Sequence, residues 1–222
     1  MSDSETTRAP LPEPLDAVQA RILGCLVERQ ATTPDVYPLT LNAIVAACNQ
    51  KSNRDPLSDH DPGTIGHALR TLEGRGLVTG SLTARASRYA HRFDAGYGIT
   101  PRQRAVLAVL LLRGAQTGNE LFLRCERLAD FGSADEVREV LERLASREPA
   151  LAICLGRAAG QREDRWMHLL CGPVDAAAAL AARAPAVSEP QAASLAARVD
   201  HLEELVEALQ ADIARLRLRL QE

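Results

Sequence analysis

The chain states one pattern twice. Asp16-Ala-Val-Gln19 opens an apolar-periodic run, and Thr100-Pro-Arg-Gln103 opens another. Each reads as a helix N-cap with a reciprocating Gln three residues on, and Pro101 takes the first helical position, where a missing N–H costs least. Leu15, Val18, Ile22 and Leu26 follow at helical spacing in the first run, and Val106, Val109 and Leu110 in the second. A second helix is expected after Thr40 (Leu41, Ile44, Val45, Cys48) and after the capping box Thr117-Gly-Asn-Glu120 (Leu121, Cys125, Leu128). A third is expected after Asp61-Pro62, with Ile65, Leu69 and Leu72 inward. Its counterpart follows the capping box Ser133-Ala-Asp-Glu136, with Val137, Leu141 and Leu144 inward.

After each third helix the period shortens to that of strands. Leu77–Leu82 and Ser87–Phe93 read as a hairpin, as do Leu151–Leu155 and Trp166–Leu170. Three helices and a hairpin, in that order, are the elements of a winged helix-turn-helix. The expected fold class is mainly α with small β-hairpins (α+β): tandem winged helix-turn-helix domains followed by a C-terminal coiled-coil helix. The boundaries are a disordered tail over 1–14, domains over 15–99 and 100–173, a linker over 174–190 and the coiled-coil helix over 191–222. In that last segment Leu195, Val199, Leu202, Val206, Leu209, Ile213, Leu216 and Leu220 alternate spacings of four and three. With Val or Ile at a and Leu at d, Val199, Leu202, Val206, Leu209, Ile213 and Leu216 are the expected seam of a parallel homodimer.

Composition narrows the function classes. Aromatics are 3% of the chain, so a base-stacking platform or an aromatic ligand cage is not expected. All but one of the 26 basic residues are Arg, the exception being Lys51. With so much Ala, that bias is what a GC-rich genome produces, and it makes any single Arg a weak sign of phosphate recognition. The net charge of −3 is a sum of unlike parts: residues 15–93 carry +2 and residues 100–173 carry +1. Five scattered cysteines without a CxxC pair fit reduced thiols better than a disulfide framework or a zinc site. There is no signal peptide and no apolar run of membrane-spanning length, so a cytoplasmic protein with no membrane association is expected.

Motifs for chemistry are missing from the sequence. The histidines at 60, 67, 91, 168 and 201 have no metal-ligand spacing, and Asp59-His60-Asp61 is explained by Asp61 as a helix cap. There is no phosphate-binding glycine loop and no nucleophile motif. We expect no enzyme activity, no metal and no cofactor.

The run Asn49-Gln-Lys-Ser-Asn-Arg-Asp-Pro56, the run Leu110-Leu-Leu-Arg-Gly-Ala-Gln-Thr117 and Trp166-Met-His168 resemble the signature segments of the YceH family. That family comprises bacterial tandem winged-helix proteins of uncharacterised function. The resemblance spans roughly residues 15–173 and departs from the family pattern at Gly118, where a Pro is common. It implies the fold and names no activity.

Double-stranded DNA is the expected partner. In a helix-turn-helix, the exposed residues of the second motif helix meet base edges. Here those are Thr64, His67, Arg70 and Thr71, with Arg85, Arg88 and Arg92 on a wing that carries no acid from 77 to 93. Lys51 and Arg54, in the polar run before that helix, are candidate phosphate contacts; the competing reading is a connector whose Asn side chains bond their own backbone. The second copy's third helix carries five acids against three Arg and suits a protein partner instead. The function expected is a dimeric transcriptional regulator; the alternative is a non-enzymatic adaptor whose winged helices dock proteins.

Overall fold

A computed structural model describes residues 13–82, 86–157 and 161–181. The fold over these residues is α+β. The first copy runs α1 (Ala17–Thr32), a 3-10 turn (Pro34–Val36), β1 (Leu39–Thr40), α2 (Leu41–Cys48), α3 (Pro62–Gly74), β2 (Val78–Leu82) and β3 (Ser87–His91). The second repeats the series as α5 (Pro101–Arg113), β4 (Gln116–Thr117), α6 (Gly118–Cys125), α7 (Ala134–Ala145), β5 (Ala152–Gly156) and β6 (Arg165–His168). Short α4 (Phe93–Tyr97) joins the copies, and α8 (Ala176–Ala181) follows the second. The two sheets have the same antiparallel order, β1-β3-β2 and β4-β6-β5.

Local chemistry sets the helix starts. Asp16, Thr40, Asp61, Thr100, Thr117 and Ser133 each accept a backbone N–H from three residues ahead. The capping box closes reciprocally at Asp16–Gln19, Thr100–Gln103 and Thr117–Glu120. The box expected at Ser133 does not close. Glu136 turns instead to the Gly132 N–H and to Arg102, so one carboxylate serves two other donors. Strands β1 and β4, invisible in the hydrophobic period, add a third strand to each hairpin: Leu39 lies opposite Tyr89, and Gln116 opposite Trp166.

Helical spacing predicts α1 and α5 to bury one stripe each. In the structure every residue from Gln19 to Val27 is buried, and so is every residue from Ala105 to Leu112. The reason is that α1 and α5 pack on each other while each also serves its own copy, α1 against α2 and α3, α5 against α6 and α7. Both copies therefore share one continuous apolar core. The crossing is close at Gly24. A Cβ there would stand 2.8 Å from Leu112 Cγ and 2.9 Å from Leu112 Cδ2. No described helix is long and apolar enough to cross a membrane.

Gly24→Val should lower stability by about 1–3 kcal/mol in urea denaturation, because the added atoms force the two helices apart. Gly66→Ala, at a helical position where the nearest atom is Arg70 Nη1 at 3.8 Å, should instead gain up to about 1 kcal/mol of helix propensity. A Gly24→Val protein as stable as the parent would contradict the close crossing.

Candidate nucleic-acid interface

Helix α3 is held by its two ends. Asp61 caps the start, accepting the Thr64 N–H at 3.0 Å and the Thr64 hydroxyl at 2.5 Å; the hydroxyl bond is the larger cause that holds the Asp61 carboxyl below its ordinary range. At the other end Arg75 donates to the side chain of Gln19 at 2.6 Å and to the backbone carbonyls of Glu13 and Pro14. Gly76, with φ of +67°, then turns the chain into β2. Ile65, Ala68, Leu69 and Leu72 face the core, which leaves Thr64, His67 and Arg70 exposed and Thr71 half-buried.

The four residues on that face differ in what they have free. The Thr64 hydroxyl is spent on Asp61, and the Thr71 hydroxyl donates to the His67 carbonyl at 3.3 Å. The side chains of His67 and Arg70 make no hydrogen bond or ion pair among the described residues. The helix's single acid, Glu73, is turned away, its carboxylate lying over Gly80 of β2. Arg70 is thus a cation on a face from which the neighbouring carboxylate has been withdrawn.

The hairpin residues separate. Arg92 is exposed, and its side chain makes no hydrogen bond or ion pair among the described residues. Arg88 is half-buried and donates to the Pro38 carbonyl at 2.8 Å, so it braces β3 against the segment before β1 rather than standing free. Arg85 lies outside the described residues, as do the seam positions Val199, Leu202, Val206, Leu209, Ile213 and Leu216.

Arg54 requires a correction. Its side chain is 0% exposed, and its guanidinium is filled by Glu28 at 2.5 Å and by the Ala47 and Asn53 carbonyls. Phosphate cannot reach a group so enclosed, and Arg54 drops out of the candidate interface. The whole Asn49–Pro56 run proves to be a staple between the copies. The Asp55 N–H donates to the Leu112 carbonyl of α5 at 2.9 Å, Arg113 of α5 donates to the Asn53 side chain, and Arg21 of α1 donates to the Pro56 carbonyl at 2.5 Å. The Asn49 amide clasps the backbone of His60 with two bonds of 2.8 Å, closing the loop just before the α3 cap. Only the tip keeps the expected character, with Lys51 exposed and unpartnered among the described residues. Arg21 and Glu28, two turns apart on the same face of α1, were the available sign that a polar group would dock there.

The equivalent surface in the second copy is neutralised. On α7, Arg138 pairs with Asp135, Arg143 with Glu139 at 3.4 Å, and Arg102 of α5 with Glu136 at 3.0 Å. Around the second hairpin, Arg157 pairs with Asp164 at 3.1 Å and buried Arg165 with Glu120 at 2.9 Å. Arg147 is drawn to the carbonyls of Tyr97 and Gly98. The two third helices differ: the Arg70 side chain of α3 stands unpaired among the described residues, while both arginines of α7 pair with carboxylates of their own helix.

Arg54→Met should cost about 2–4 kcal/mol in denaturant unfolding, since it strands the Glu28 carboxylate, whose side chain is only 18% exposed. Lys51→Ala should stay within about 0.5 kcal/mol of the parent. An Arg54→Met protein of unchanged stability would show that the staple carries no weight.

The chain matches the family model described as "Protein of unknown function, DUF480" over residues 15–161. Among its relatives is a UPF0502 protein of Stenotrophomonas maltophilia strain R551-3, 53% identical over 220 residues, covering 98% of this chain and 100% of the relative. Another, from Xanthomonas campestris pv. campestris strain B100, is 50% identical over 215 residues, covering 95% and 96%. A third, from Pseudomonas paraeruginosa, is 53% identical over 185 residues, covering 83% and 81%. The YceH resemblance of the signature segments agrees with these matches, and the chain belongs to the DUF480 family of UPF0502 proteins.

Proposed function

We propose that the protein is a non-enzymatic, cytoplasmic DNA-binding protein, a transcriptional regulator in which the first copy acts as a winged helix-turn-helix domain. The observation that carries this reading is the contrast between α3 and α7. The solvent face of α3 offers His67 and Arg70 uncommitted and has its acid folded away. The face of α7 is a lattice of carboxylates and their Arg partners, which repels phosphate. On this reading α3 enters the major groove, where Arg70 can read a guanine through two hydrogen bonds. Lys51 and Arg92 then contact phosphate and fix the register.

The second copy has another role in this proposal. It completes the core through α5 and offers α6 to a protein partner; Leu123 stands 71% exposed there beside half-buried Phe122. An adaptor that binds only proteins is the competing reading, and this apolar spot is what favours it. Dimerisation through the C-terminal heptads, read from sequence, would pair two α3 helices across neighbouring half-sites.

Binding of the full-length protein to random duplex DNA, followed by fluorescence anisotropy at about 50 and 200 mM salt, tests the reading. Affinity should fall steeply with salt. Arg70→Ala should cost about 1–3 kcal/mol, and Lys51→Ala/Arg92→Ala should flatten the log–log salt slope by about 2. Arg138→Ala/Arg143→Ala on α7 should leave both quantities unchanged. Salt-independent or absent binding, or an α7 variant as weakened as the α3 variant, would favour the adaptor.

A further inference from the structure

A cleft of about 350 Å³ opens beside α6. Phe122 and Leu123 of the helix line it, together with Ala129 and Phe131 from the segment that leads to the Ser133 cap. Phe131 is buried and Phe122 half-buried, whereas Leu123 projects into water. The matching helix of the first copy is smaller at these positions. Thr40 and Thr117 cap α2 and α6, and Ile44 and Leu121, then Cys48 and Cys125, are buried at the same steps after the cap. In that register Val45 of α2 corresponds to Phe122, and exposed Ala46 corresponds to Leu123. Enlarging an exposed residue adds nothing to the core. The extra apolar surface leaves water only when something covers it.

The charges at this cleft have one sign. Among the described residues that line it, the charged ones are Glu126 and Asp130; both are exposed, and neither side chain makes a hydrogen bond or ion pair. The neighbouring arginines are engaged elsewhere. Arg102 lies over the Phe131 ring at 5.3 Å and pairs with Glu136, and Arg124 turns to Glu120 at 3.8 Å. Arg127 lines a separate cleft against α1 and α5. On α7, by contrast, Asp135 and Glu139 have Arg partners of their own helix. The C-terminal end of α6 adds the negative end of its helix dipole to the two free carboxylates.

We infer that the α6 cleft docks a basic amphipathic helix of a partner protein, which seats a large apolar side chain against Phe122 and Phe131 and sets Lys or Arg opposite Glu126 and Asp130. The inference rests on the protein-docking role given to α6 and adds the chemistry of the partner. A helix laid in an apolar groove brings its anchors and its charges to one face, at spacings of three and four. The apolar anchor supplies the contact, and the two carboxylates at the rim select its neighbours by sign. An acidic partner is turned away, and so is a phosphate backbone. One molecule thus offers opposite charges on its two candidate surfaces, Arg70 on α3 and the carboxylates beside α6.

The test is fluorescence anisotropy of the full-length protein with two labelled amphipathic peptides that share their Leu positions, one with Lys and the other with Glu at every polar position. The Leu/Lys peptide should bind at least about tenfold more tightly than its Leu/Glu twin. Glu126→Lys/Asp130→Lys should weaken the Leu/Lys peptide by about tenfold or more and strengthen the Leu/Glu peptide. Leu123→Asp should weaken the Leu/Lys peptide despite its added negative charge. Glu139→Lys/Glu142→Lys on α7, an equal change of charge, should leave affinity within about twofold. The substituted side chains are all exposed, so the core is untouched. If the twin binds as well, or the α7 variant loses as much as the cleft variant, the inference is overturned. If Leu123→Asp weakens binding while the charge reversal at the cleft does not, the docking role stands and the basic partner is lost. If neither changes binding, the docking role fails as well.

Discussion

The close crossing of α1 and α5 is the contact on which the rest of the structure depends. A helix nine of whose residues are consecutively buried cannot belong to one small domain alone; α1 serves its own copy on one side and α5 on the other. Gly24 makes the approach possible, since any larger residue would collide with Leu112. The reward is a single core, and small repeated units gain disproportionately from sharing one, because the fraction of surface buried rises with size. At the junction of the two copies the long polar side chains are matched to partners. Arg54 meets Glu28, Arg21 meets carbonyl oxygens, and Asn49 meets the backbone of His60.

The repeat therefore gives two copies of one frame with different work. Where the first copy has a long polar run between its second and third helices, that run becomes the staple that pins α1 to α5. The second copy has no such run, and both arginines of its α7 pair with carboxylates of that helix. Ion pairs on an exposed helix contribute little stability one by one, so the pairing on α7 matters less for holding the fold than for what it removes from the surface. A face of mutually satisfied charges has little attraction for a phosphate backbone. The face of α3, with Glu73 withdrawn over Gly80, keeps its cation available.

Which features were legible in the sequence follows from how local their causes are. Caps depend on four consecutive residues, so Asp16, Thr40, Asp61, Thr100 and Thr117 could be read directly. Ser133 misled only in its box, because Arg102, far away in sequence, competes for Glu136. The inward set of α3 followed from spacing, and with it the exposed set of Thr64, His67 and Arg70. The all-round burial of α1 did not, because Ala20, Gly24 and Cys25 carry no strong hydrophobic signal and nothing in the spacing of α1 announces the approach of α5 at Gly24. Strands β1 and β4 are two residues long, too short for any alternation to register. Arg54 and Arg88 illustrate the same limit for the candidate interface. An Arg in a polar run looks identical in sequence whether it faces water, a carboxylate or a carbonyl, and only its neighbours in space decide.

Hydrogen–deuterium exchange of the full-length protein with and without a saturating random-sequence duplex addresses the division of labour most directly. Exchange should slow across α3 and the β2–β3 hairpin, with α7 and the β5–β6 hairpin unchanged. Protection that falls on α7 instead, or no change in any segment at DNA concentrations that saturate a basic winged-helix control, would contradict it.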